Sequence, residues 1–233
     1  MRDGKSVSVT VIGNRMVKCT LCDAASTIED GTPARCLWTD NPRSTDNGVI
    51  VVGLNPGRAS PEEKQYYQKH GPTFGSTISY LETNAGSIRY FSRLRRLAKE
   101  TMDVDAFHWT EVAKCELKAG LKQVPLEMRR TCIKQYLADE LSLLPVWPVI
   151  AAGGVAFETM ALLCRDRPVI GVPHPTGAFG KMFTRLLADG ILGAWARTRV
   201  QEALETRSAV WLMPSASEDA HGLQGVGSRY AGA

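Results

Sequence analysis

The run Val49-Ile50-Val51-Val52-Gly53, followed at once by Leu54-Asn55-Pro56-Gly57, constrains the fold more than any other part of the chain. An unbroken β-branched run is buried on both faces, as a central strand of a parallel sheet must be, and the Gly- and Pro-containing segment after it has the composition of a functional loop. Further apolar runs repeat the theme at 107–113, 149–152 and 169–172, with helical patterning between them at 126–144 and 155–163 and again from 181 to about 205. Strands alternating with helices imply an α/β protein around a parallel sheet. Ser60-Pro61-Glu62-Glu63 reads as a helix start with Ser60 as N-cap. The alternating run at 6–12 reads as a strand, and 14–48 as a loop-rich segment that something must pin down.

The chain has 233 residues and a net charge of +4, enough for one domain over 1–206; from 207 onward it turns small and polar and reads as a disordered tail. The longest nearly uncharged stretch, 143–157, contains two prolines and a Gly-Gly pair and is too short to span a membrane, and the N-terminus lacks an apolar signal core. A cytoplasmic monomer with no membrane partner is expected. The mild basic excess permits nucleic-acid binding through a local patch without requiring it.

Cysteines stand at 19, 22, 36, 115, 132 and 164. In a reducing compartment they are ligands or small buried hydrophobes rather than disulfides. Four thiolates suit a [4Fe–4S] cluster or, as the alternative, Zn²⁺. Cys19, Cys22 and Cys36 resemble three-quarters of a zinc knuckle, but no fourth ligand follows nearby, and Cys164 in an apolar helix end reads as filler.

Ligand sites in parallel sheets lie beyond the carboxyl ends of the strands. Three loops qualify: Gly53 to Gly57, the segment holding Glu111, Lys114 and Cys115, and Pro173-His174-Pro175-Thr176-Gly177. Asn55 is held before a proline, either as an Asx turn or as an amide that binds a water and a ligand atom. His174 between two prolines is stiffly placed as a structural hydrogen bonder or a catalytic group.

With these residues in view, the chain resembles the uracil-DNA glycosylase superfamily over 17–179 and is closest in layout to its iron–sulfur family 4 enzymes. Gly-Leu-Asn-Pro-Gly at 53–57 is similar to the first active-site motif, as in the mismatch-specific and single-strand-selective branches, and His-Pro-Thr at 174–176 to the second. Gly-Pro-Thr-Phe-Gly at 71–75 resembles the segment bearing the base-stacking aromatic, and Cys19, Cys22, Cys115 and Cys132 match the ligand spacing of the family 4 cluster. The resemblance implies a three-layer α/β/α sandwich with a mostly parallel four-stranded sheet, a structural [4Fe–4S] cluster, and excision of a uracil or related damaged base flipped out of single-stranded or duplex DNA.

In the roles so implied, Asn55 orients water, His174 stabilises charge on the departing base, and Gly53, Leu54, Phe74 and Glu111 bind that base. Phe74 is the stacking platform or, alternatively, an ordinary core residue. Pro56, Gly57, Pro175, Thr176, Gly177, Phe179 and Lys181 meet DNA, Phe179 as a wedge. Arg89, Arg93, Arg95, Arg96 and Lys99 form either a phosphate-binding face or a solvated one.

The pattern departs from family 4 at two places. Thr110-Glu111-Val112-Ala113-Lys114-Cys115 puts a carboxyl group where the family has an Asn that pairs with uracil, and Leu54-Asn55 replaces Glu-Ala. An ionised Glu111 repels uracil O4. Three readings stay open: Glu111 is neutral in a desolvated pocket, the base is a different one, or Glu111 is catalytic. Two other functions compete with excision: a non-catalytic iron–sulfur protein that binds damaged or single-stranded DNA, and a redox sensor.

Overall fold

The structure, a computed structural model, describes residues 8–22, 24, 31–40, 47–176 and 179–213. Its strands in chain order are β1 (Leu37–Asp40), β2 (Gly48–Gly53), β3 (Ala106–Glu111), β4 (Val149–Ala152), β5 (Val169–Val172) and β6 (Ala209–Trp211). Its helices are α1 (Val9–Met16), α2 (Pro61–His70), α3 (Phe74–Asn84), α4 (Arg89–Met102), α5 (Leu126–Cys132), α6 (Ala138–Leu143), α7 (Gly154–Leu163), α8 (Gly180–Leu186) and α9 (Ile191–Thr206). The fold is α/β, on a mostly parallel sheet in the order β1-β3-β2-β4-β5-β6.

That sheet has six strands where the sequence reading expects four. The additions, β1 and β6, are three- or four-residue edge strands without the long apolar run that marks β2. β6 falls inside the span read as a tail, and residues 214–233 lie outside the described residues. Of the strand expected at 6–12, residues 6 and 7 lie outside the described residues, and Val9 to Ile12 instead start α1. Ser8 accepts a hydrogen bond from the Val11 amide as N-cap, and Ile12, Gly13 and Met16 form the buried face. The helix expected over 126–144 is interrupted by a π-helical turn at Ile133–Leu137, directly after Cys132.

By contact the chain divides into two compact units, each assembled from separated segments. One comprises Met1–Asp40, Gly53–Ala85 and His108–Pro145; the other comprises Asn41–Val52, Gly86–Phe107 and Val146–Ala233. Interleaving of this kind leaves no linker for a sequence search to find.

The first unit packs α1, α3, α5 and the π turn around an apolar cluster that includes Ile12, Met16, Leu37, Phe74, Met128 and Tyr136. Ser60 caps α2 by accepting from the Glu63 amide at 3.2 Å, with Pro61 opening the helix, as the sequence implies. Thr73 and Ser76 form a reciprocal capping box that starts α3 at Phe74.

The second unit holds the parallel run β2-β4-β5-β6, with Val52 opposite Ala151 and Ala152 opposite Val172, so β2, β4 and β5 end at one edge. Val49 to Val52 and Val149 to Ala152 are at most 1% exposed. Pro173 and His174 leave β5 at that edge. Gly171 is required for packing: a Cβ there would lie 2.3 Å from the Trp211 ring and 2.5 Å from Phe157. Gly171→Ala is therefore expected to lower stability by about 1–3 kcal/mol through overpacking, read as a reduced urea midpoint with an unchanged denaturant slope; an unchanged midpoint would show that the two rings yield.

Candidate active site and cysteine cluster

In the first unit the ends of β2 and β3 are tied together by backbone hydrogen bonds. Val112 N–H donates to the Gly53 carbonyl at 2.9 Å and Ala113 N–H to the Leu54 carbonyl at 2.8 Å. Glu111 therefore ends β3 where Asn55 begins its loop. Asn55 is half-buried, and its Nδ2 donates to the Pro56 carbonyl at 2.9 Å, a local bond that orients the amide. Pro56 is buried and Gly57 exposed.

Glu111 is 5% exposed, and its Oε2 is buried with no hydrogen-bond partner. Burial pushes its carboxyl up to about 8, against opposing pulls from Lys114 and Arg35. Burial outweighs both pulls, and each cation is engaged by other carboxylates. Lys114, fully buried, pairs with Glu140 Oε2 at 2.6 Å and donates to the Thr110 hydroxyl. His108 Nε2 lies 2.8 Å from Glu140 Oε1 and donates to it, and Nδ1 lies 2.8 Å from the Thr39 hydroxyl. Burial alone would raise Glu140; the Lys114 ammonium and the His108 bond outweigh it and hold that carboxyl below its ordinary range.

Arg35, 4% exposed, is shared by Glu63 at 2.8 Å and Glu116 at 3.1 Å, and also donates to the Gly57 carbonyl. Sequence reasoning missed Arg35, Glu116 and Glu140 altogether. Single charges in irregular or helical stretches look like surface residues until the fold brings their partners together. The one available signal was local, Lys114 in the Val-Ala-Lys-Cys segment.

Phe74 is 4% exposed and lies in the apolar cluster of this unit. Its ring packs directly against Gly13 of α1, where an added Cβ would lie 2.4 Å away. The same cluster gathers the cysteines of the expected ligand set: Cys115 and Cys132 belong to its core, and Cys19 and Cys22 pack against it. The Lys114 amide donates to Cys132 Sγ at 3.5 Å, and burial pushes the Cys132 thiol up. Cys36 and Cys164 are not part of this cluster; Cys36 begins β1's approach with a left-handed backbone, φ 67°. Among the described residues no group of three or more His, Cys, Asp or Glu side chains is placed to hold a metal ion.

In the second unit His174 is exposed, and its Nδ1 faces Thr176 at three atoms: the amide N at 3.3 Å, the hydroxyl at 3.2 Å and the carbonyl O at 2.9 Å. When Nδ1 accepts from the amide or hydroxyl, Nε2 carries the proton and is the outward donor. When Nδ1–H donates to the carbonyl, Nε2 is an outward acceptor. Thr176 thus offers Nδ1 both donors and an acceptor, compatible with either role of Nε2.

α4 flanks this loop. The Tyr90 ring lies 5.5 Å from the His174 ring, and Arg93 donates to the Pro175 carbonyl. Of the basic residues expected to meet phosphate, Arg95 lies over Phe107 and Arg96 pairs with Glu100 at 2.6 Å, while Arg89 and Lys99 are exposed. Phe179 is 53% exposed at the start of α8, and Lys181 is exposed beside it. Gly177 lies outside the described residues.

No protein-family model matches the chain, and no curated protein matches its sequence. No described helix is long and apolar enough to cross a membrane.

Because Glu111 is held protonated in the native state and ionises near 4.5 when unfolded, the native protein binds the extra proton between pH 4.5 and about 8. Its contribution to stability is complete below 4.5, falls across that window and is flat above it. Relative to Glu111→Gln, the wild type is therefore expected to lose stability steadily from about pH 5 to about pH 8 in denaturant titrations; parallel profiles would mean that Glu111 ionises normally.

Proposed function

We propose that this protein is a monofunctional DNA glycosylase that hydrolyses the N-glycosidic bond of a uracil or related damaged base flipped out of DNA. The observation that carries the reading is Glu111: a buried carboxyl group at the end of a central strand, with one oxygen unpartnered and a proton retained to about pH 8. A neutral carboxyl group has one acceptor and one donor side by side. It accepts from uracil N3–H through its carbonyl oxygen and donates to O4 through its hydroxyl, the pairing an amide would make. Ionisation removes the donor and repels O4. Of the three roles the sequence leaves open for Glu111, its burial favours the neutral base reader.

Bond cleavage makes the sugar oxocarbenium-like and gathers negative charge on the base, chiefly at O2. In this reading His174, with Nδ1 accepting from Thr176, presents Nε2–H to that oxygen. A single fixed donor at a developing oxyanion is worth roughly 3–4 kcal/mol. Asn55, its Nδ2 tied to the Pro56 carbonyl, orients the attacking water through its remaining amide atoms. Exposed Arg89 and Lys181 serve the DNA backbone and exposed Phe179 the vacated stack.

Cys19, Cys22, Cys115 and Cys132 are the residues that would hold a [4Fe–4S] cluster, with Zn²⁺ the alternative. Membership of one apolar cluster and the donor chemistry of four thiolates speak for this assignment, although no three of the described side chains are placed as metal ligands. The group would be structural, fastening the N-terminal segment to α5. Protein purified without air is expected to contain iron and acid-labile sulfide, lost in Cys132→Ser and kept in Cys164→Ser; zinc without sulfide would replace the cluster by the alternative, and a metal-free protein would remove both.

The activity is tested by strand nicking on oligonucleotides carrying uracil, hypoxanthine, xanthine or 5-hydroxymethyluracil, single-stranded and mismatched. Alkali-dependent cleavage at one base is expected, lost in His174→Ala and Asn55→Ala, and declining above about pH 8 as Glu111 ionises. Binding without cleavage on every substrate would convert the reading to a non-catalytic DNA-binding protein.

A further inference from the structure

The loop that carries Asn55 is held from both sides, and the downstream hold uses buried charge that the mechanism above leaves idle. Upstream, the Gly53 and Leu54 carbonyls are bound by the Val112 and Ala113 amides at 2.9 and 2.8 Å. Downstream, the Gly57 carbonyl accepts from Arg35 Nη2, and the Ala59 amide donates to Glu116 Oε2 at 2.8 Å. The same Arg35 Nη2 donates to that same Glu116 Oε2 at 3.1 Å, so one ion pair grips the chain at two points, two residues apart. Arg35 Nε is fixed in turn by Glu63 of α2 at 2.8 Å, and Glu63 accepts from the Tyr67 hydroxyl at 3.3 Å. Arg35 and Glu116 are each 4% exposed, so water does not loosen the pair. Gly57 is exposed and has no side chain of its own to hold it; without the grip its backbone is free to swing.

We propose that Arg35 and Glu116 are positioning residues that fix the Gly57-to-Ala59 backbone and thereby aim Asn55, without touching substrate themselves. The inference rests on the glycosylase reading for the role of Asn55, but the clamp itself is a claim about the loop. Burying one cation against two carboxylates is costly unless every polar contact is made. Here the Gly57 carbonyl and the Ala59 amide supply two of those contacts, while Arg35 Nη1 is buried without a hydrogen-bond partner; losing either loop contact would leave more of the ion network unsatisfied, so the geometry of the loop and of the network depend on each other.

The test pairs exchange with kinetics. In the wild type the Ala59 amide is expected to exchange slowly and that of exposed Arg58 rapidly. Glu116→Ala, which leaves Arg35 paired with Glu63, is expected to speed Ala59 exchange about tenfold or more relative to the global opening rate. Glu116→Gln, which retains an acceptor for that amide, is expected to restore most of the protection. On the substrate found by strand nicking, Glu116→Ala is expected to lower kcat about a hundredfold with KM little changed, as misaimed groups do, and to cause no further loss when added to Asn55→Ala. Losses that multiply in the double variant would overturn the link to Asn55. If the wild type excises no base, the glycosylase reading fails by itself, and exchange decides the clamp: an Ala59 amide as fast as Arg58 overturns it. Should Glu116→Ala not fold, the wild-type exchange and the Glu116→Gln kinetics still decide the matter.

Discussion

Charge removed from water must find a partner or give up its ionisation, and much of the first unit follows from that constraint. Around the end of β3 lie Arg35, Lys114, Glu116 and Glu140, all buried and all paired. Each pair joins distant segments: Arg35 and Glu116 bind the loop after β2, and Lys114 and Glu140 join the Val-Ala-Lys-Cys segment to α6. His108 and Thr39 extend the second network to β1. These charges are arranged as crosslinks between segments far apart in sequence.

Glu111 is the exception that gives the region its chemical interest. It sits among cations already committed to other carboxylates, so burial decides its state and it keeps a proton to about pH 8. In the proposed glycosylase reading, a neutral carboxyl group is a near replacement for a base-reading amide in hydrogen-bonding terms. Both groups present a donor beside an acceptor on a planar centre.

The second unit shows the ordinary logic of a parallel sheet. Strands buried on both faces end at one edge, and the residue placed there by two prolines is His174. Its loop is braced by Arg93 and flanked by Tyr90, both from α4, whose arginines read in sequence as either a phosphate-binding or a solvated face. Among those arginines one braces the loop, one lies on an aromatic ring and one is paired within the helix, because a side chain's neighbours are set by what the helix packs against.

Periodicity and local capping carried the parts of the fold that were legible in sequence. The runs at β2, β4 and β5 identify themselves because full burial demands uninterrupted apolar residues, and Ser60 with Pro61 marks α2 because the first amides of a helix need an acceptor nearby. Those signals are local, so a single sequence contains them. The edge strands β1 and β6, the helical start at Ser8 and the π turn after Cys132 were not legible, since each depends on what lies alongside rather than on its own pattern. The same division holds at the candidate site. Residue types of Asn55, Glu111 and His174 and their places at or beyond strand ends followed from the sequence. The protonation of Glu111, the burial of Phe74 against Gly13 and the Arg35–Glu116 grip were decided by tertiary structure, because desolvation and ion pairing depend on groups that the chain brings together only when it folds.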